Sequence, residues 1–162
     1  MGSQFDLGSS GSRMRLRDDF ISGLEYFKCD DLEAALTLFR EADESAAIDD
    51  VYQNRYTSFH GLARVFMGDP RGVKLCRKAA VGETNDPEVY CNLAMAENKL
   101  GMRESAYQAL RRGLRIAPEH AGLLQMKKDI MLHEQRGLVE GLKSGNWLNR
   151  ILGRLVRGAR QP

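Results

Sequence analysis

Between Asp86 and Pro118 the chain lays out a complete helical hairpin with its own punctuation, and this stretch constrains the fold more than any other. Asp86-Pro87 puts an N-cap residue and a φ-locked proline at a helix start. Tyr90, Leu93, Ala94 and Leu100 then recur at helical spacing and Gly101 ends the segment. Ala106, Tyr107, Leu110, Leu114 and Ile116 carry a second helix as far as Pro118. Two short helices cannot cover both of their apolar faces alone, so the hairpin requires neighbours.

Neighbours of the same kind stand on either side. Upstream, Phe20, Leu24 and Phe27 form one apolar stripe, Asp30-Asp31 a turn and N-cap, and Leu32, Ala35, Leu36 and Phe39 a second stripe. Residues 51–66 repeat the first element, Gly68-Asp69-Pro70 closes a turn, and Val73, Leu75, Cys76 and Ala80 follow. Downstream, a helix over 120–135 with Leu123, Leu124, Lys127, Ile130 and Met131 suits an end-capping role. Aromatics make up 7% of the chain and prolines number 4, so helix is favoured over strand. With 162 residues, 43% hydrophobic and a net charge of +2, one folded domain is expected rather than disorder. Residues 1–13 read as an expression leader and Gly/Ser linker, 14–136 as the helical domain, and 137–162 as a separate basic tail.

These spacings resemble the tetratricopeptide repeat, a helix-turn-helix of about 34 residues in which large and small side chains alternate at fixed positions. In the copy starting at Pro87, Tyr90 stands at the fourth position, Leu93 and Ala94 at the seventh and eighth, and Ala106 at the twentieth. Leu110, Gly113 and Pro118 follow at the twenty-fourth, twenty-seventh and thirty-second. Glu97 departs from the pattern, because the family usually has an aromatic there. In the copy starting near Leu16, Gly23, Tyr26, Ala35, Phe39 and Ala42 match. The copy starting near Asn54 is degenerate: Gly61 and Ala80 fit, but Val73 replaces the small residue and Arg77 the large one. The resemblance implies an all-α, antiparallel helix-hairpin superhelix of about three repeats with a capping helix, followed by an amphipathic tail.

It also implies a concave groove, lined by the first helix of each pair, that holds a helix or peptide of another protein. The register assigns to that groove Phe20, Leu24 and Phe27, with Arg17 and Lys28 beside them, in the first copy. The second copy contributes Arg55, Leu62, Val65 and Phe66, with Ser58, and the third Cys91, Met95, Asn98 and Lys99, with Glu88. Relatives that grip the carboxylate end of a chaperone tail carry Lys, Arg and Asn across the groove. Here those positions hold Phe20, Leu24, Phe59, Glu88 and Asn92, which disfavours that mode. An apolar groove suits a partner's amphipathic helix instead.

Catalytic and cofactor chemistry finds little support. Cys29, Cys76 and Cys91 form no Cys-x-x-Cys pair and have no histidine at ligand spacing, so they read as reduced, small apolar residues. His60 lies among apolar neighbours, and His120 and His133 are expected to face solvent. Nucleophile-elbow, phosphate-loop, zinc and dinucleotide motifs are absent. No cofactor or metal is expected. No run of the sequence reaches the roughly 18 apolar residues of a membrane span, and the expected location is the cytoplasm.

The tail is a second source of information. Residues 141–162 carry five basic side chains and no acidic one, whereas 18–140 are net acidic. Trp147, Leu148, Ile151, Leu152, Leu155 and Val156 form one helical stripe, with Arg150, Arg154 and Arg157 off it. This face can cap the repeats, bind an anionic membrane surface, or swap into the groove of a second copy to give a homodimer. Nucleic acid is the weakest reading, since one short helix with one aromatic is a small footprint. Together the residues point to a non-catalytic interaction module: an adaptor, assembly factor or chaperone. The alternative is a peripheral membrane scaffold anchored by the tail.

Overall fold

The computed structural model describes residues 15–135, which form seven helices: α1 (Asp18–Lys28), α2 (Leu32–Ser45), α3 (Gln53–Phe66), α4 (Gly72–Gly82), α5 (Pro87–Lys99), α6 (Arg103–Ile116) and α7 (Ala121–Gln135). Among the described residues there is no strand. The pairs α1–α2, α3–α4 and α5–α6 are hairpins, successive hairpins pack on one another, and α7 lies against α5 and α6. The chain thus forms the all-helical array expected of it.

The three hairpin turns are built alike. After C-caps at Cys29, Met67 and Leu100, the chain passes through one left-handed residue, Asp30 (φ 64°), Gly68 (φ 88°) or Gly101 (φ 77°). In each turn the next N–H reaches back to an orphan helix carbonyl. Asp31 N donates to Tyr26 O at 3.0 Å, Asp69 N to Arg64 O at 2.9 Å, and Met102 N to Glu97 O at 2.8 Å. Glycine adopts this conformation without a Cβ clash, so Asp30 alone holds it at a cost of about 1–2 kcal/mol. Asp31 and Asp86 then cap the following helices, accepting from Ala34 N and Glu88 N. In the middle turn, side-chain hydrogen bonds from Arg71 and Arg64 hold the Asp69 carboxyl well below the usual carboxylate range.

Small residues set how closely each hairpin closes. A Cβ on Gly23 would meet the Phe39 ring at 2.8 Å, so that ring lies flush on α1. In the middle hairpin backbone meets backbone. A Cβ on Gly61 would stand 2.6 Å from Gly72 O, and one on Gly72 only 2.3 Å from Gly61 O. This corrects the sequence reading of the second copy, because Gly72 and Cys76, not Val73 and Arg77, take the small and large positions beneath Gly61. The physical reason lies at the start of α4, where Gly72, Val73 and Lys74 donate to carbonyls three residues back. Such winding advances the chain in fewer residues per turn and moves the register by one.

The joints between hairpins differ in chemistry. Phe20 of α1 is fully buried with its ring 5.5 Å from Phe39, 4.9 Å from Tyr56 and 5.2 Å from Phe59, so α1, α2 and α3 meet around it. Phe27 likewise contacts Phe39 and Phe66. At the other end, α7 buries Leu123, Met126 and Ile130, while Leu124 and Met131 face solvent. Leu123 and Ile130 of the expected capping stripe are therefore inside, joined by Met126, while Leu124 and Met131 are not.

Candidate functional site

The first helices of the three hairpins, α1, α3 and α5, carry the residues expected to bind a partner, and α7 follows them in the array. Seven of the eleven expected groove residues, Phe20, Leu24, Phe27, Leu62, Val65, Cys91 and Met95, lie in the hydrophobic core with almost no exposed surface. This is a correction. Phe20 of this stripe packs on Tyr56 and Phe59 of α3, and Phe27 on Phe66, so these members make contact between helices. Four members remain nearer solvent. Phe66 is half-buried, with Phe27 5.9 Å away and the Lys99 ammonium 5.4 Å from its ring centre. Asn98 is half-buried beside the exposed Lys99, and Arg55 lies at the far end of α3.

Around Arg55 the structure assembles a polar seam that joins α3, α5 and α7. Arg55 Nε and Nη2 donate to Asp86 Oδ2 and Oδ1 at 2.6 and 2.9 Å, and its guanidinium stands 5.5 Å from the Tyr52 ring. Asn92 Nδ2 donates to Ser58 Oγ at 2.9 Å, and Ser58 in turn donates to the Arg55 carbonyl. His120 is not surface-facing as expected, since its Nε2 lies 2.7 Å from the buried carboxylate of Glu88. Leu123 N donates to His120 Nδ1, so the ring proton sits on Nε2, where it donates to Glu88 Oε1. Two acceptors, Glu88 Oε2 and Asn92 Oδ1, are buried without a hydrogen-bond partner among the described residues. His120 was missed because its contact spans 32 positions, although its place just before a helix is a capping signal.

Other titratable groups are occupied structurally. Asp43 accepts from Thr57 and Gln53 and pairs with His60 at 2.9 Å, which clasps α2 to α3. Glu83 is partly buried, which would raise its carboxyl, but N–H donors from Asn85, Asp86 and Thr84 prevail and hold it below the ordinary value. Burial pushes the Cys76 and Cys91 thiols far up, which keeps them protonated, and Cys29 is exposed. Among the described residues no cluster of three or more His, Cys, Asp or Glu could hold a metal ion, and no helix is long and apolar enough to cross a membrane. The tail set, Trp147, Leu148, Arg150, Ile151, Leu152, Arg154, Leu155 and Arg157, lies outside the described residues.

The family model of the tetratricopeptide repeat matches residues 87–120, the span of α5, α6 and the turn into α7. With seven helices packed in succession, the chain is consistent with a helical array of such repeats. No curated protein and no solved structure matches the chain. The family is generally non-catalytic and its repeats generally mediate binding to other proteins.

Proposed function

We propose that the chain is a non-catalytic adaptor, assembly factor or chaperone that holds a helix or peptide of another protein along the α1–α3–α5–α7 face. The observation that carries this reading is the tetratricopeptide match at 87–120, set in an array where Arg55, Phe66, Asn98 and Lys99 stand nearest solvent on one face. The buried Phe20, Leu24, Phe27, Leu62, Val65, Cys91 and Met95 then support the face from beneath. A photo-crosslinking amino acid at Asn98, compared with one at Arg40 on α2, tests the assignment in cells. A discrete protein adduct from position 98 alone, lost in Phe66→Ala/Lys99→Ala, supports it. Adducts from both positions, or from neither, overturn it.

The peripheral-membrane alternative rests on the stripe from Trp147 to Val156 flanked by Arg150, Arg154 and Arg157. It requires Trp147 fluorescence to shift blue with anionic but not with neutral vesicles, an effect that weakens as salt rises. A homodimer made by tail exchange would revert to monomer on deletion of residues 144–162, which light scattering reads directly.

A further inference from the structure

Away from the α1–α3–α5–α7 face, the second helices of the middle and last hairpins carry a charge pattern that the chain's net charge conceals. Arg71, Lys74, Arg77 and Lys78 on and before α4, and Arg103, Arg111, Arg112 and Arg115 on α6, are all exposed. One acidic residue, Glu104, stands among them. Residues 15–50, by contrast, hold eleven acidic side chains against four basic ones. Acidic and basic groups are thus segregated along the array.

Within the basic face a cleft of about 320 Å³ opens between α4 and α6 over α5. That volume is near the lower end of the roughly 300–1,000 Å³ of small-ligand sites, room for a side chain or two rather than a cofactor. Leu93 and the almost fully buried Glu97 of α5 lie at its base; Arg77 borders it on α4, and Ser105, Gln108 and Arg112 on α6. Glu97, which departs from the repeat pattern, meets Arg77 of α4 here. Arg77 Nε and Nη2 lie 2.9 and 2.8 Å from Glu97 Oε1, and Nη2 also reaches Met102 Sδ at 3.4 Å. Where the pattern has an aromatic ring, this chain therefore has an ion pair and an open space beside it. Arg77 is neutralised by Glu97, whereas Arg112 has no hydrogen bond or ion pair among the described residues. The surplus charge in the cleft is that of one guanidinium. Val81, also in its lining, is largely exposed and offers an apolar lip.

We propose that this cleft docks an acidic peptide segment of a partner protein, one carboxylate pairing with Arg112 while a neighbouring apolar side chain lies against Leu93 and Val81. A carboxylate carries the single negative charge that Arg112 lacks, and its planar oxygens match the guanidinium fork. A phosphate dianion would stand against the Glu97 carboxylate, and no aromatic side chain lines the cleft to stack a base. The chain's own residues 141–162 are basic and are repelled by this face. This site is independent of the α1–α3–α5–α7 face, and either can fail without the other.

The test uses the full chain and fluorescence anisotropy with a fluorescein-labelled Glu-Leu-Glu-Glu-Leu-Glu peptide, its glutamine counterpart and an oligouridylate. The acidic peptide should bind, its glutamine counterpart should not, and salt should weaken binding. Arg112→Glu should weaken it by at least about tenfold, and Arg112→Gln by less. Arg111→Glu, the same charge change outside the cleft lining, should move it less than about threefold. Far-UV circular dichroism of these variants should match the parent, since both arginines are exposed. Equal losses for Arg111→Glu and Arg112→Glu, equal binding of the two peptides, no binding of the acidic peptide, or tighter binding of oligouridylate would each overturn the proposal. So would self-association that Arg112→Glu abolishes, which would make the occupant the acidic hairpin of a second copy.

Discussion

The joint between the first and second hairpins and the joint between the second and third solve the same packing problem with opposite materials. At the first, Phe20, Phe39, Tyr56 and Phe59 press ring against ring, and the bonds of Asp43 to Gln53, Thr57 and His60 lie outside that aromatic centre. At the second, Arg55 donates to Asp86, Asn92 Nδ2 to Ser58 Oγ and the Tyr90 hydroxyl to Ala80 O, and the buried Asn92 Oδ1 has no partner among the described residues. Apolar contact is non-directional and scales with area, so the first joint resists separation strongly but tolerates small shifts. Directed bonds have the reverse character: modest net gain, with a penalty whenever a partner is misplaced. The second joint therefore fixes register more than it adds stability.

The sharpest way to break this contrast is Phe20→Ala, which should destabilise by about 3–5 kcal/mol and detach α1 and α2 first. Denaturant unfolding should show an early transition, and a loss below about 1 kcal/mol would refute the aromatic joint. His120→Ala leaves both Glu88 oxygens without a partner and should cost about 1–3 kcal/mol by the same measurement. Ser58→Ala alone strips Asn92 of its bond and should cost about 1 kcal/mol or more. Combined with Asn92→Leu, it should come out nearly neutral, because both partners then become apolar. A strictly additive double mutant would mean that the seam is not coupled.

Tyr56 combines apolar and polar contact within the first joint, since its ring packs on Phe20 while its hydroxyl accepts from Arg17 N at 3.2 Å. Burial pushes its phenol up to about 12 from an ordinary value of 10.0. The folded state thus holds this proton more tightly, so its contribution is complete below pH 10 and is lost as pH rises through 12. Tyr56→Phe should cost about 1 kcal/mol at neutral pH and flatten that alkaline decline. The smallest effect is a gain: Asp30→Gly should raise stability by about 1 kcal/mol or less, by relieving the left-handed strain. An unchanged or lower Tm would show that Asp30 has a compensating contact.

What the sequence disclosed and what it hid follow from range. The Asp86 cap, Pro87 and Gly101 act within their own hairpin, so helix starts, turns and the best repeat were legible. The one-residue shift of α4 was not, because it comes from how the helix start is wound, which side-chain spacing does not record. The burial of seven expected groove residues was not legible, because a stripe of period 3.6 reports that a helix face is apolar, not what covers it. The pairs Glu88–His120 and Arg77–Glu97 join positions 32 and 20 residues apart, and the hints were slight: Glu97 out of place in the repeat pattern and His120 just before a helix. The basic face on α4 and α6 was concealed by summing charge over the whole body.

The contact between Gly61 and Gly72 has a mechanical consequence. With two backbones touching at this point, α3 and α4 have little room to shift against each other and behave as one stiff beam. Any bending that a load imposes on the array must be taken up on either side of that beam. The aromatic joint can yield by sliding, whereas the polar one yields by breaking a bond, which gives the array a soft end and a latched end.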